Sequence, residues 1–260
     1  MQLMNRRYAL GVLAAASFLV SSARSAVVQP FRMSLLAGSL KEGVWQAGIL
    51  IALEPGWKTY WRMPGDTGIP PSFDWTGSTN NTSVEVGFPV PRSFNDEGGE
   101  TIGYHDQALF PIFVKPGNGN EPVHLQLNMF FAVCKEVCIP ARANASLVLK
   151  SSSENQVLND WQQRVPRALA TGTAPPVTAV RLETRQTKPM LVLSLSREVL
   201  DIFVESETTA YFGKPQFDVA PQEAWLPIVN LKDMQKLRGA VLKLTLSFGD
   251  SGIEQTLVIT

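Results

Sequence analysis

Cysteine is nearly missing from this chain: 260 residues hold two, Cys134 and Cys138. Histidine is as scarce, with His105 and His124 each standing alone, the pattern of surface or packed residues rather than of a ligand set. Charge of either sign is also missing in excess. Formal net charge is zero, so neither a nucleic-acid footprint nor an acidic tail is indicated. After the N-terminus no segment approaches 18 uninterrupted apolar residues, so the mature chain offers no membrane-spanning helix. No G-x-S-x-G, H-E-x-x-H or phosphate-loop pattern occurs, which removes the chemistries those motifs support.

What is present concentrates on Phe130–Pro140, where the two cysteines lie four positions apart. A disulfide requires Cα atoms roughly 4.4–6.8 Å apart. A straight strand would separate these by about 13 Å. The backbone must therefore turn between them, as a hairpin end, a bulge or a helical turn. Closing so short a loop stabilises a fold by only about 2 kcal/mol in the chain-entropy model. A chain of this length buries a core without that help. Redox use, a structural bridge, metal binding and two free thiols are the readings the spacing leaves open.

The N-terminus indicates a compartment. Arg6-Arg7 precede the apolar run 8–20, which gives way to Ser21-Ser22-Ala23-Arg24-Ser25-Ala26. A charged start, a short apolar stretch and small residues at −3 and −1 read as a signal peptide over residues 1–25. The arginine pair hints at twin-arginine export without deciding the route. Export places the cysteines where disulfides persist.

With 45% hydrophobic residues, 18 prolines and 19 glycines, the mature chain reads as all-β with many turns. Strand-like runs fall at 31–36, 44–53, 83–88, 101–104 and 109–114. The clearest is 122–133, where Val123, Leu125, Leu127, Met129, Phe131 and Val133 share one face and His124, Gln126 and Asn128 the other. That phase puts Cys134 on the non-core face, which favours access. Pro55–Pro71 is read as a loop because of its Pro and Gly density, either capping a sandwich end or walling the site. Val157, Leu158, Trp161, Val165 and Leu169 give a helix within 151–170, with Ser152 or Ser153 as cap and Pro166 as stop. Strands then resume at 177–183, 190–195, 202–204, 210–212, 241–248 and 253–259. The expected organisation is a first β domain over 27–150, a helix and linker over 151–174, and a second, cysteine-free β-sandwich-like domain over 175–260.

The segment V-C-K-E-V-C-I-P around Cys134 and Cys138 resembles the cysteine motif of the N-terminal periplasmic domain of the DsbD- and ScsB-type transmembrane disulfide reductases. Upstream, P-G-W-K-T-Y-W-R-M-P-G-D-T-G-I-P-P from Pro55, F-D-W at 73–75 and I-G-Y at 102–104 resemble the ScsB-like branch in the same order. The resemblance covers roughly residues 30–150. It implies an immunoglobulin-like sandwich in which Cys138 exchanges with partners and Cys134 resolves. It also implies shielding residues beside the pair, for which Tyr60, Trp61 and Tyr104 are the candidates. The implied function is periplasmic protein-disulfide reductase or interchange activity, without cofactor or metal. Electrons would pass between a membrane reductase and periplasmic thioredoxin-like oxidoreductases. Since these 260 residues hold neither a membrane electron carrier nor a thioredoxin-like domain, a separate membrane partner is expected. A binding module with a structural bridge, or a copper-binding protein, are the alternatives.

Overall fold

The computed structural model describes residues 29–65, 68–96, 99–220, 222–231 and 233–260. The expected signal peptide lies outside them. In the first half the strands are β1 (Phe31–Lys41), β2 (Val44–Leu53), β3 (Lys58–Gly65), β4 (Ser72–Asp74), β5 (Asn81–Val86), β6 (Arg92–Asp96), β7 (Gly99–His105), β8 (Gln107–Pro116), β9 (Val123–Cys134) and β10 (Cys138–Leu149). One sheet runs β1-β2-β8-β5. The other runs β10-β9-β3-β7-β6, with β4 added on β9. The alternation along β9 does what its pattern predicts. Leu125, Leu127 and Met129 are buried between the sheets, and His124, Gln126 and Asn128 face solvent. Aromatic pairs tie the layers together: Phe31 meets Phe131 at 4.9 Å and Tyr104 meets Phe110 at 5.4 Å between ring centroids, both edge-on.

The loop reading of Pro55–Pro71 is corrected. Lys58–Gly65 is strand β3, held between β9 and β7 in the middle of its sheet. Its run Lys58-Thr59-Tyr60-Trp61-Arg62-Met63 contains no Gly or Pro and is rich in strand-forming side chains. The surrounding Pro and Gly residues end the strand rather than dissolve it.

A helix, α1, spans Gln156–Gln163. Its cap is Asn155, whose side chain accepts from the Leu158 amide, and not Ser152 or Ser153. It ends before Pro166 as expected. Leu158 and Trp161 turn into the first core, and Leu158 fits because Gly38 and Gly48 leave it room. A β-carbon on either glycine would stand within 2.6 and 2.9 Å of its methyl groups.

The second half contains β11 (Arg167–Ala168), β12 (Val177–Arg185), β13 (Lys188–Leu195), β14 (Asp201–Ser206), β15 (Tyr211–Phe212), β16 (Gln216–Asp218), β17 (Glu223–Val229), β18 (Val241–Ser247) and β19 (Gly252–Val258). They form the sheets β11-β19-β18-β14 and β12-β13-β17-β15, with β16 on β17. Leu242, Leu244 and Leu246 alternate into a second core with Leu191, Leu193 and Leu226. The all-β expectation therefore holds in both halves.

The halves meet at β3. Trp61 lies 5.6 Å from Phe203, which joins the first core. Arg62 donates to Glu205 at 2.9 and 2.7 Å and to Glu254 at 2.6 Å, with its guanidinium over the Trp61 ring. Burial alone would weaken the guanidinium's charge; the bonds and charges of Glu205 and then Glu254 outweigh it and hold its pKa above the usual value. Removing Arg62 strands Glu205 in a poorly hydrated site, while Glu254 keeps Lys243 at 2.9 Å. Arg62→Met is expected to lower stability by about 3 kcal/mol in urea unfolding. Adding Glu205→Gln should recover most of that loss, and a double variant as unstable as the single one would contradict this account.

Candidate functional site

Two neighbouring strands build the site. β9 and β10 form a hairpin whose last pair is Cys134 opposite Cys138, joined as a disulfide with Cα atoms 4.1 Å apart. The turn is the exposed segment Lys135-Glu136-Val137. On the far side of β9 stands β3, with Lys58 opposite Cys134 and Thr59 opposite Val133. Side chains of a strand alternate between faces, so Lys58, Tyr60, Ala132 and Cys134 share the outer face of the sheet.

The two sulfurs have different surroundings. Cys134 is 5% exposed, packed with Tyr60, Ala132 and the partly buried Ile69. Cys138 is exposed. The phase argument placed Cys134 on the correct face but missed its burial. The cover comes from the Pro/Gly segment after β3: Gly68 sits so close to Tyr60 that a β-carbon there would stand 2.7 Å from the ring.

Tyr60 reaches over Cys134 to Cys138. Its hydroxyl lies 2.9 Å from Cys138 Sγ. A disulfide sulfur carries no hydrogen, so the phenol donates. Burial pushes the Tyr60 hydroxyl's pKa up, which keeps it a neutral donor at ordinary pH. Lys58 is also buried, its Nζ donating to Thr101 Oγ1 at 3.1 Å and lying 5.7 Å from the Phe94 ring centre. Burial lowers the ammonium's pKa. Lys135 leaves the hairpin to lie against the Gly56 turn.

The other two shielding candidates lie elsewhere. Trp61 follows Tyr60 in sequence and so faces the opposite way, fully buried against Phe203. Tyr104 pairs with Thr59, again on the core face, and its hydroxyl donates to Pro89 O at 2.8 Å. The structure thus brings Tyr60 to the cysteines and sends Trp61 and Tyr104 into the core. Ile69 and Ala132, which sequence reasoning did not single out, contact Cys134 instead. For Ala132 the signal was available: it lies two residues before Cys134 on the same face. Among the described residues no three of His, Cys, Asp or Glu gather closely enough to hold a metal ion. His105 stands across β3 from Cys134, beside Asp106.

This arrangement is an immunoglobulin-like sandwich with a half-exposed cross-strand disulfide at a hairpin tip, the form of a thiol–disulfide interchange domain. Residues 28–150 match the family described as thiol:disulfide interchange protein DsbD, N-terminal. The N-terminal periplasmic domain of ScsB from Proteus mirabilis is similar in structure, with a TM-score of 0.64 and 22% identity over 86% of this chain and 91% of that one. That likeness speaks to the fold and extends through both halves. The reduced DsbD N-terminal domain of Neisseria meningitidis aligns at a TM-score of 0.30 and 13% identity, over 48% of this chain and 87% of that one, too low to carry an argument. Comparison with curated proteins by sequence finds no match.

Tyr60→Phe removes the donor at Cys138 while keeping the ring over Cys134. Hydrogen bonds to charged groups are worth about 1.5–3 kcal/mol, so alkylation of reduced Cys138 at neutral pH should slow by about tenfold. Its midpoint should move to higher pH; an unchanged midpoint would deny Tyr60 any hold on the thiolate. The same hydroxyl carries a pH signature. Its pKa is higher folded than unfolded, so its contribution to stability is present below about pH 10 and lost as pH rises through the folded value. Alkaline destabilisation measured by urea unfolding should be smaller in Tyr60→Phe than in the parent.

Proposed function

We propose that this chain is a periplasmic thiol–disulfide exchange protein. Cys134 and Cys138 would carry electrons between a separate membrane reductase and periplasmic thioredoxin-like oxidoreductases. The observation that supports it is the unequal burial of one bonded pair: Cys138 open to solvent, Cys134 covered by Tyr60 and Ile69. A reinforcing bridge needs no such difference, whereas an exchanging pair needs one sulfur reachable and the other kept from strangers. The family match over residues 28–150 supports the same chemistry.

In the reduced form the Cys138 thiolate, with the Tyr60 hydroxyl donating to it, attacks a sulfur of the partner's disulfide. The partner's other sulfur leaves as a thiolate and a mixed disulfide forms. Cys134, already 4.1 Å away Cα to Cα, then attacks Cys138 Sγ and releases the partner's second sulfur. The partner gains two electrons and the chain regains its disulfide. Running the steps backwards reloads the chain from a donor dithiol. The pair closes at the end of a hairpin whose remaining register, Ile139 to Leu149 against Val133 to Val123, does not depend on it. Opening and reclosing therefore need no change of fold.

Cys138→Ala should abolish exchange with thioredoxin-like proteins, and Cys134→Ala should accumulate a mixed disulfide visible on non-reducing gels. Full exchange by the Cys138 variant would reject the reading. A redox titration of the parent against glutathione separates it from a structural bridge, for which the pair would stay oxidised across the whole accessible range.

A further inference from the structure

The strand order fixes the side from which Cys138 is reached. Thiol–disulfide exchange is an in-line displacement: the incoming sulfur approaches along the extension of the bond it breaks. That bond runs from Cys134 on β9 to Cys138 on β10. Extended beyond Cys138, the line passes over the outer side of β10, which pairs with β9 alone among the described residues. Extended the other way, it runs over β3, where Tyr60 stands 1% exposed against Cys134. One direction is open and the other closed.

The open side is also a hydrogen-bonding edge. In an antiparallel ladder the non-hydrogen-bonded pairs are the closer ones, about 4.5 Å between Cα atoms against about 5.5 Å. Cys134 and Cys138, at 4.1 Å, are such a pair. The N–H and C=O of Cys138 therefore turn away from β9, toward the open edge. By the same alternation so do the C=O of Pro140 and both groups of Arg142. Pro140 has no N–H, a feature that blunts an edge against indiscriminate pairing. Cys138, Ile139 and Pro140 are all exposed.

We propose that the redox partner docks along the β10 edge, as an extended cysteine-bearing segment hydrogen-bonded to the outward groups of Cys138, Pro140 and Arg142. This rests on exchange at Cys138. The partner's thiolate bonds to Cys138 Sγ as the Cys134–Cys138 bond breaks, and Cys134 leaves as a thiolate that takes a proton from water. A second partner thiol then attacks the partner's own sulfur in the mixed disulfide and releases the Cys138 thiolate, which is protonated in turn. Two electrons and two protons have passed from dithiol to disulfide. Strand addition places the partner's sulfur at the end of the open line and holds it there through main-chain bonds.

The test uses the oxidised full chain and a synthetic seven-residue peptide with one central cysteine. A set of analogues is N-methylated at one residue each, and glutathione serves as a thiol too short to add a strand. The second-order rate of attack should fall about fivefold for N-methylation at alternate residues, those facing β10, and stay unchanged for those between. In the Cys134→Ala variant carrying the peptide as a mixed disulfide, the amides of Cys138 and Arg142 should exchange hydrogen more slowly than in the free variant. Those of Ile139 and Ala141 should not change. Rates independent of N-methylation, together with unprotected Cys138 and Arg142 amides, would overturn edge docking while leaving exchange intact. Failure of glutathione itself to open the pair would instead remove exchange at Cys138, and edge docking with it.

Discussion

The register of β9 against its two neighbours is the constraint on which the site depends. Cys134 stands opposite Cys138 on one side and Lys58 on the other. That puts a single residue, Cys134, in the middle of a three-strand row, with its sulfur between an edge strand and an interior one. A shift of one residue in either pairing would send a sulfur to the opposite face of the sheet. The register is held by burial below it: Val133, Phe131 and Met129 all point into the core, and none can leave without exposing apolar surface.

Unequal burial follows from that row rather than from any special feature of the cysteines. An interior strand has neighbours on both sides, so a side chain on its outer face is covered by those of the flanking strand. Tyr60 is long enough to cross Cys134 and reach Cys138. An edge strand has only one such neighbour, and Cys138 is left uncovered beyond the hydroxyl. The phenol therefore does two things: its ring closes the approach to one sulfur and its hydroxyl donates to the other. A disulfide across so short a loop adds only about 2 kcal/mol of cross-linking stability, small beside cores of this extent. The geometry is better matched to a bond that opens than to one kept as reinforcement.

Much of the fold was legible because strands declare themselves by alternation. Val44–Leu53 and the β9 run have in the structure nearly the ends their patterns indicate. Strand β3 was hidden by Gly56 just before it and by Pro64 and Gly65 at its end, and β17 by Pro227 within it. Neither punctuation prevents pairing here: β17 still lies between β13 and β15, and Pro227 is bonded through its carbonyl to the Gly213 amide. The helix begins at Gln156, which makes Asn155 its cap, and Ser152 instead accepts from the Leu40 amide. At the site, the cysteine pair was legible from spacing, and Tyr60 only through family resemblance. Nominating Tyr60 and Trp61 together overlooked the period of two: adjacent residues of a strand cannot cover the same sulfur. The cover by Ile69 was illegible, because it depends on where an irregular segment folds back.

The second half of the molecule carries no cysteine, yet its contacts converge on the strand that serves the cysteines. Arg62 is two residues from Tyr60, and Glu205 and Glu254 reach it from β14 and β19. Trp61, between them, is pressed against Phe203. To separate the halves, the guanidinium must give up both carboxylates or β3 must move with it. Movement of β3 carries Tyr60, and with it the hydroxyl that lies 2.9 Å from Cys138 Sγ. The position of the donor at Cys138 is thus set from both sides: by β9 through the ladder, and by the second half of the chain through Arg62. The half without cysteines is in this way part of the site's mechanical support.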